Sequence, residues 1–434
     1  MSAIEQVKKS LMEGAFDSAL KGVYVYDMVL PEQRARYAKV IEDFVRQYGD
    51  HGQSIGLYSS PGRTEICGNH TDHNHGKVLA ASVNLDAIAA AAPNGERTVR
   101  VKSAGYDIDI VDIDDLNVHE DEKGHSAALI RGICARFVQL GYKIGGFDAT
   151  TASRVLSGSG LSSSAAFEVL VCTILNHLFN GGQIDSVEIA KISQYAENVY
   201  FFKPCGLLDQ TACSVGGFVE IDFADPEKPV IEKIDFDFAA CNHALCIVDT
   251  GGSHSNLTDD YAAVRAEMEA VAAEFGKKVL RDVPEEDFWQ AIPRLREKLG
   301  ERSVLRAMHF YAENHRVDSD IQALQSGDFE QFKRNVIASG YSSYMYNQNV
   351  YTPKNPAEQP VSLGLSVSEK LLSGKGAWRV HGGGFAGTIQ AFVPMELLDE
   401  YTAEMRRIFG EDACYVLNIR PVGGARIVDP QPTA

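Results

Sequence analysis

The stretch Pro61-Gly62-Arg63-Thr64-Glu65-Ile66-Cys67-Gly68-Asn69-His70-Thr71-Asp72-His73-Asn74-His75-Gly76 sets arginine, carboxylates, amides and three histidines among turn-forming residues. Short polar side chains on a rigid loop suit a polyol ligand, whose hydroxyls must each find a donor or acceptor when water leaves. His70, Asp72, His73 and His75 could instead hold a transition metal, although so local a cluster lacks the distant fourth ligand of a site built into a fold. A solvated polar loop is the third reading. A second stretch, Ser157-Gly158-Ser159-Gly160-Leu161-Ser162-Ser163-Ser164, opens onto the apolar run Ala165 to Phe179. Glycines let backbone N–H groups approach an oxyanion, and a helix start adds the positive end of its dipole. The hydroxyls of Ser162, Ser163 and Ser164 can donate to phosphate or ligate Mg²⁺. An ordinary Gly/Ser turn with a serine cap has the same composition.

The spacing of that second stretch is neither G-x-x-x-x-G-K-S/T nor G-x-G-x-x-G, which removes the P-loop and dinucleotide-binding readings. A third stretch, Val380-His381-Gly382-Gly383-Gly384-Phe385-Ala386-Gly387, has the His-Gly-Gly-Gly of an esterase oxyanion loop. No G-x-S-x-G elbow follows it, so that chemistry is excluded. A second phosphate-adjacent glycine loop, or a plain tight turn, remains.

Elements must position these loops. Helical periodicity covers 3–21 and 32–48, where Tyr37, Val40, Ile41, Phe44 and Val45 recur at three- and four-residue steps. Strands are expected over 55–60, ending at Pro61-Gly62, and over 78–83, 86–92, 99–103 and 108–113. Helices are expected over 126–141, 165–179 and 187–201, then strands over 217–222 and 243–248. Residues 255–345 read as mostly helical. The strand at Trp378-Arg379-Val380, strand 388–393, helix 395–409 and a strand near 413–420 close the chain. Helices interposed without regular alternation indicate α+β. A length of 434 residues suits two domains, with a boundary near 225–240 where Asp225-Pro226-Glu227-Lys228-Pro229 breaks regularity. A formal charge of −18 argues against nucleic-acid partners. No apolar run is long enough to span a bilayer. Eight scattered cysteines and an N-terminus without a signal-peptide layout point to a reducing, cytoplasmic setting.

In chain order the three stretches resemble the GHMP small-molecule kinases, and within them the galactokinase branch. The polar loop matches the galactokinase signature at Gly62-Arg63, Gly68, His70-Thr71-Asp72, Asn74 and Gly76. The Gly/Ser loop matches the family ATP motif from Gly158 to Ala165. Gly382-Gly383-Gly384-Phe385 with Gly387 matches the C-terminal motif, and Pro204-Cys205-Gly206-Leu207-Leu208-Asp209-Gln210 the catalytic-aspartate segment. The resemblance implies an N-terminal domain like the second domain of ribosomal protein S5, over residues 1–235, and a ferredoxin-like C-terminal domain over 236–434. It implies ATP and Mg²⁺ as cofactors and a small sugar, galactose, phosphorylated at its anomeric hydroxyl. Asp209 and Arg63 would be catalytic. Asn69, His70, Thr71, Asp72, Gly206 and Tyr261 would hold the sugar. Gly158, Ser159, Gly160, Leu161, Ser162, Ser163 and Ser164 would wrap the phosphates, with Ser164 and Glu197 as metal ligands. A monomer is the simplest expectation.

The departures bear on substrate. Galactokinases usually carry Asn where this chain has Glu65, an acid where it has Asn69, and Tyr where it has His73. Leu156 and His381 also differ from the pattern. Loss of the acid at 69 would suit a C6-altered sugar such as galacturonate. Two further functional classes compete with a sugar kinase: a catalytically silent sugar sensor and a metal-dependent hydrolase.

Overall fold

The computed structural model describes residues 2–51, 53–155, 161–252 and 257–430. The first helical stretch is two helices, because Gly14 takes a left-handed φ of 86° and turns the chain. Helix α1 (Ala3–Met12) starts on a capping box of Ser2 and Glu5; α2 (Asp17–Tyr24) and α3 (Leu30–Tyr48) follow. Their apolar faces, with Leu11, Leu20, Tyr37 and Phe44, pack on Leu57, Ile88, Ala90 and Val428 of a large sheet.

That sheet has eight strands: β1 (Gly56–Cys67), β2 (Lys77–Pro93), β3 (Thr98–Ser103), β4 (Ile108–Asp112), β5 (Phe147–Ser153), β6 (Phe218–Asp222), β7 (Val230–Ile234) and a late strand described below. β1 does not end at Pro61-Gly62. It runs on to Cys67 through a register shift between Pro61 and Arg63, where a proline without an N–H is tolerated. The strands expected over 78–83 and 86–92 are one strand of 17 residues, whose outer half pairs with β5 and inner half with β6. All pairings are antiparallel except β3 with β5. Helices α4 (Ser126–Gln139), α5 (Ser163–Phe179) and α6 (Ser186–Tyr195) contribute Ile133 and Phe137, Val169 and Leu170, and Ile192 to the main core with the sheet. α6 passes into one π-helical turn, Ala196–Tyr200, and α7 (Leu208–Val215) follows.

A second, four-stranded sheet is built from β8 (His243–Asp249), β9 (Ala377–Val380), β10 (Thr388–Pro394) and β11 (Cys414–Leu417), in the order β11-β8-β10-β9. Between β8 and β9 lie α8 (Thr258–Ala273), α9 (Glu285–Leu299), α10 (Glu301–Ser326), α11 (Phe329–Ser342) and α12 (Pro360–Leu372). Helix α13 (Leu398–Phe409) joins β10 to β11, completing a β-α-β-β-α-β succession. The last strand, β12 (Ala425–Val428), returns to pair with β1 in the first sheet. A division at 235/236 therefore falls between the two sheets in sequence but leaves β12 with the first. Mixed pairing and segregated helices make the class α+β. Among the described residues no helix is long and apolar enough to cross a membrane.

Candidate active site

Arg63 and Asp209 meet although 146 residues separate them: Arg63 Nε donates to Asp209 Oδ1 at 2.7 Å. Arg63 stands on β1 just past its bulge, and Asp209 in the first turn of α7. The loop before α5 joins them, since the Arg63 N–H donates to the Leu161 carbonyl at 3.0 Å and Ser162 Oγ donates to Asp209 Oδ2 at 2.6 Å. Gly62 is needed for this approach, because a Cβ there would sit 2.8 Å from the Leu161 carbonyl oxygen. Burial alone would raise the Asp209 carboxyl, but the Arg63 charge and the hydrogen bonds from Arg63 and Ser162 outweigh it and hold it below its usual value. Ser162, the residue before α5, spends its hydroxyl on Asp209 and does not cap the helix. The N–H groups that open α5 thus take no side-chain cap from Ser162. Gly158, Ser159 and Gly160 of the loop before α5 lie outside the described residues, as does Leu156.

The polar stretch folds as a tight turn beside this pair. Thr71 is fully buried with its hydroxyl on the carbonyls of Gly68 and Lys77, so it holds the turn and does not line a cavity. His70 is left-handed at φ 58° and reaches Gly383, its Nε2–H donating to the carbonyl at 2.8 Å. Burial lowers its pKa and keeps the ring neutral. Asn69 Nδ2 donates to the Gly382 carbonyl, and Asn69 Oδ1 accepts from Asn349 at 2.8 Å. Its amide is thereby tied to the far lobe. The Asp72 carboxylate has no hydrogen bond to any described residue, and it faces Gly206, where a Cβ would meet it at 3.4 Å. Between these groups lies a cavity of about 180 Å³ lined by Arg63, Glu65, Asn69, His70, Asp72, Gly206, Asp209 and Gly383, with Cys205 and Leu208 at its margin. It is small and polar, of the kind that takes one compact polyol.

Tyr261 stands one layer back. Its hydroxyl donates to the Gly384 carbonyl at 2.8 Å, and its ring meets Phe385 edge-on. A Cβ on Gly383 would lie 2.7 Å from that ring, so the glycine loop is moulded on the tyrosine. His381 is buried and neutral, pushed down to about 3 by burial, between the hydroxyls of Thr64 and Thr388. The His70 and His73 rings lie 5.9 Å apart, but their nitrogens are engaged separately: His73 Nδ1 pairs with Asn74 at 2.9 Å while His70 Nε2 faces Gly383. Among the described residues no three metal-ligating groups gather.

Ser164, in the first turn of α5, faces the π-helical turn and donates to Glu197 Oε1 at 3.2 Å. Lys203 Nζ lies 2.7 Å from the same oxygen, and Gln210 Nε2 bridges Glu197 and Glu168 at 2.8 and 3.1 Å. Burial, then the Glu197 charge, push the carboxyl of the fully enclosed Glu168 well above the usual carboxyl range. A hydroxyl and a carboxylate side by side at a helix start are hard oxygen donors, the set that Mg²⁺ uses when phosphates complete its shell. The sequence reading missed Glu168, Lys203 and Gln210. A lone acid in the apolar run of α5 was the available signal.

Residues 42–93, which hold the polar turn, match the model of the galactokinase galactose-binding signature, and residues 128–217, which hold α5 and Asp209, match the GHMP kinases N-terminal domain. The chain is 32% identical to galactokinase of Streptomyces coelicolor over 391 residues, covering 89% of this chain and 97% of that one. It is 32% identical to galactokinase of Streptomyces lividans over 80% of this chain and 84% of the other. Among solved structures, galactokinase of Lactococcus lactis complexed with galactose superposes with a TM-score of 0.73 at 22% identity, over 90% of this chain and 99% of that chain. Mevalonate kinase of Methanococcus jannaschii has the same fold, with a TM-score of 0.59 at 15% identity, over 85% and 99%. With the GHMP kinase fold, both motif regions and this degree of identity over nearly the whole length, the chain belongs to the galactokinase family of sugar kinases.

Proposed function

We propose that the protein transfers the γ-phosphoryl group of ATP to the anomeric hydroxyl of galactose, giving galactose 1-phosphate and ADP. The observation that carries this reading is the Arg63–Asp209 contact of 2.7 Å on the wall of a small polar cavity, next to the start of α5. A sugar hydroxyl is a weak nucleophile. Asp209, ionised at neutral pH, accepts its hydrogen bond and aims the oxygen. A carboxylate held below its usual value is a weak base, so it takes the proton only as the new O–P bond forms. The Arg63 guanidinium offsets negative charge at the phosphoryl group in transit. His70, Asp72 and Gly206 form the sugar wall, while Thr71 and Tyr261 hold its shape. The Gly/Ser loop from Gly158 to Ser164 would receive the phosphates. Ser164 and Glu197 would hold Mg²⁺, whose chemistry when bound is to neutralise phosphate charge. The proposed domains are 1–235, which holds the first sheet apart from β12, and 236–434, which holds the second sheet and sends β12 back to the first; the setting is cytoplasmic, with no membrane or nucleic-acid partner.

The cavity favours a neutral sugar. Among the described residues, three carboxyl groups, Glu65, Asp72 and Asp209, face it against one guanidinium, Arg63. A uronate would add a further negative charge. An ADP-release assay across galactose, galacturonate and other hexoses tests the reading, and galactose is expected to lead. Asp209→Asn should lower kcat by roughly 10²–10⁴ while galactose still binds. A wild type that releases no ADP with any hexose, or a variant with normal kcat, would refute it.

A further inference from the structure

The cavity contains an acid for which the phosphoryl-transfer reading has no task. Glu65 stands on β1 two residues beyond Arg63, on the same face of the strand, and its side chain lines the cavity with Asp72 and Asp209. Its carboxyl makes no hydrogen bond or ion pair with any described residue. The contrast with Asn69 on the same wall is direct. The Asn69 amide is taken up by Gly382 and Asn349, whereas the Glu65 carboxyl is left to a ligand. We propose that Glu65 is a sugar-contacting residue whose carboxyl hydrogen-bonds a hydroxyl of the substrate. This rests on the assignment of the cavity to a sugar.

The form in which it does so follows from its surroundings. Burial raises the Glu65 carboxyl most; Arg379 of β9 pulls it down, Asp72 of the turn pushes it up, and Arg63 of its own strand and Asp209 of α7 oppose each other, leaving it at about 7. Arg63 is engaged by Asp209, and Arg379 donates to the Ile66 carbonyl, so neither guanidinium forms an ion pair with Glu65. His381, behind the strand on Thr64, and His70, on Gly383, are neutral there. Below about 7 the group is a neutral donor that adds no charge to a cavity already holding two carboxylates. Above it, a third carboxylate faces Asp72 and Asp209, and the donor is lost.

The test is calorimetric titration of the full chain with galactose in the absence of ATP, at about pH 6 and about pH 8.5, on either side of that value. Wild-type affinity should fall as pH rises. Glu65→Gln keeps a neutral donor at both values, so its affinity should stay level. Glu65→Ala should bind roughly tenfold more weakly at the lower pH, the scale of one lost hydrogen bond to a substrate. Wild-type affinity for Glu65→Ala, or the same pH profile for wild type and Glu65→Gln, would overturn the proposal alone. A wild type that binds no galactose would overturn it together with the assignment of the cavity.

Discussion

Asp320 is fully enclosed on α10, and neither of its carboxyl oxygens has a well-formed hydrogen bond among the described residues. Burial is the first cause that pushes it up to about 7; its polar neighbours Asn335 and Cys67 only moderate the rise. The consequence for stability has a definite sign. In the unfolded chain the same carboxyl releases its proton near pH 3.9, so between about pH 4 and pH 7 the folded state binds more protons and stability falls as pH rises. Above about 7 the loss is complete. Asp320→Asn keeps the shape and cannot ionise. It should therefore melt above the wild type at about pH 8, with the gap narrowing toward about pH 5.5, read by thermal unfolding at both values. A gap of equal size at the two pH values would show that Asp320 does not titrate as its burial requires.

At the scale of elements, α10 grips the sugar-facing turn from the opposite lobe. His309 Nε2 donates to the Asn69 carbonyl at 2.9 Å, Glu313 Oε2 accepts the Gly68 N–H at 3.0 Å, and Asn314 Oδ1 accepts the Lys77 N–H at 2.7 Å. Ser339 of α11 secures Glu313 at 2.8 Å. Burial opposes ionisation of Glu313, but His309, Arg316 and Arg379 hold it down at about 2, so it is a carboxylate throughout the working range. Glu313 Oε1 also accepts from Arg316, so Glu313→Gln can keep its oxygen on the Gly68 N–H and Ser339 only by turning its N–H₂ against that guanidinium, which should loosen the turn. Galactose KM should rise roughly tenfold with ATP KM unchanged, measured by varying each substrate in turn; equal changes in both would mean a general loss of structure. This grip was not legible in the sequence. His309, Glu313 and Asp320 recur at helical spacing, and a buried polar stripe has the same pattern as a solvated face. That Arg63, His70, Asp72, Gly206 and Asp209 gather at one cavity was legible, because each stands in a short motif of polar and glycine residues. Thr71 shared those motifs and Tyr261 lay outside them on α8; in the folded chain the hydroxyls of both bond backbone carbonyls. Among elements, β7 followed directly on the Asp225–Pro229 break, inside the expected boundary region, and β12 lay beyond the last expected strand. β1 outran its expected end because a bulge accommodates Pro61.

At the scale of the whole molecule, the chain's early helices, its first sheet and its returning end are tied at one buried point. Asp86, fully enclosed on β2, accepts from Tyr24 at 2.6 Å, from Ser59, and from Arg36 at 2.9 Å, while Arg420 lies 3.4 Å away. Arg420 is itself fully buried and holds Ser59 and the Gly423 carbonyl at 2.6 and 2.7 Å. Tyr24 and Arg36 come from α2 and α3, and Arg420 from the segment that carries the chain back from β11 to β12. The residues before 48 are thus part of the first sheet's core and not an appendage. Burial disfavours the Asp86 charge, yet Arg36 and Arg420 keep it ionised and below its usual value. Asp86→Asn leaves the fully buried Arg420 and the largely buried Arg36 without their counter-charge, so it should destabilise by about 3–5 kcal/mol. An exposed pair supplies the control. Lys8 and Glu42 sit 2.6 Å apart at the surface, and Glu42→Gln should change stability by no more than about 1 kcal/mol. Denaturant unfolding of both variants separates the cases. If Asp86→Asn unfolds no earlier than Glu42→Gln, the two ends of the chain are held by apolar packing alone, and the buried cluster contributes nothing to joining them.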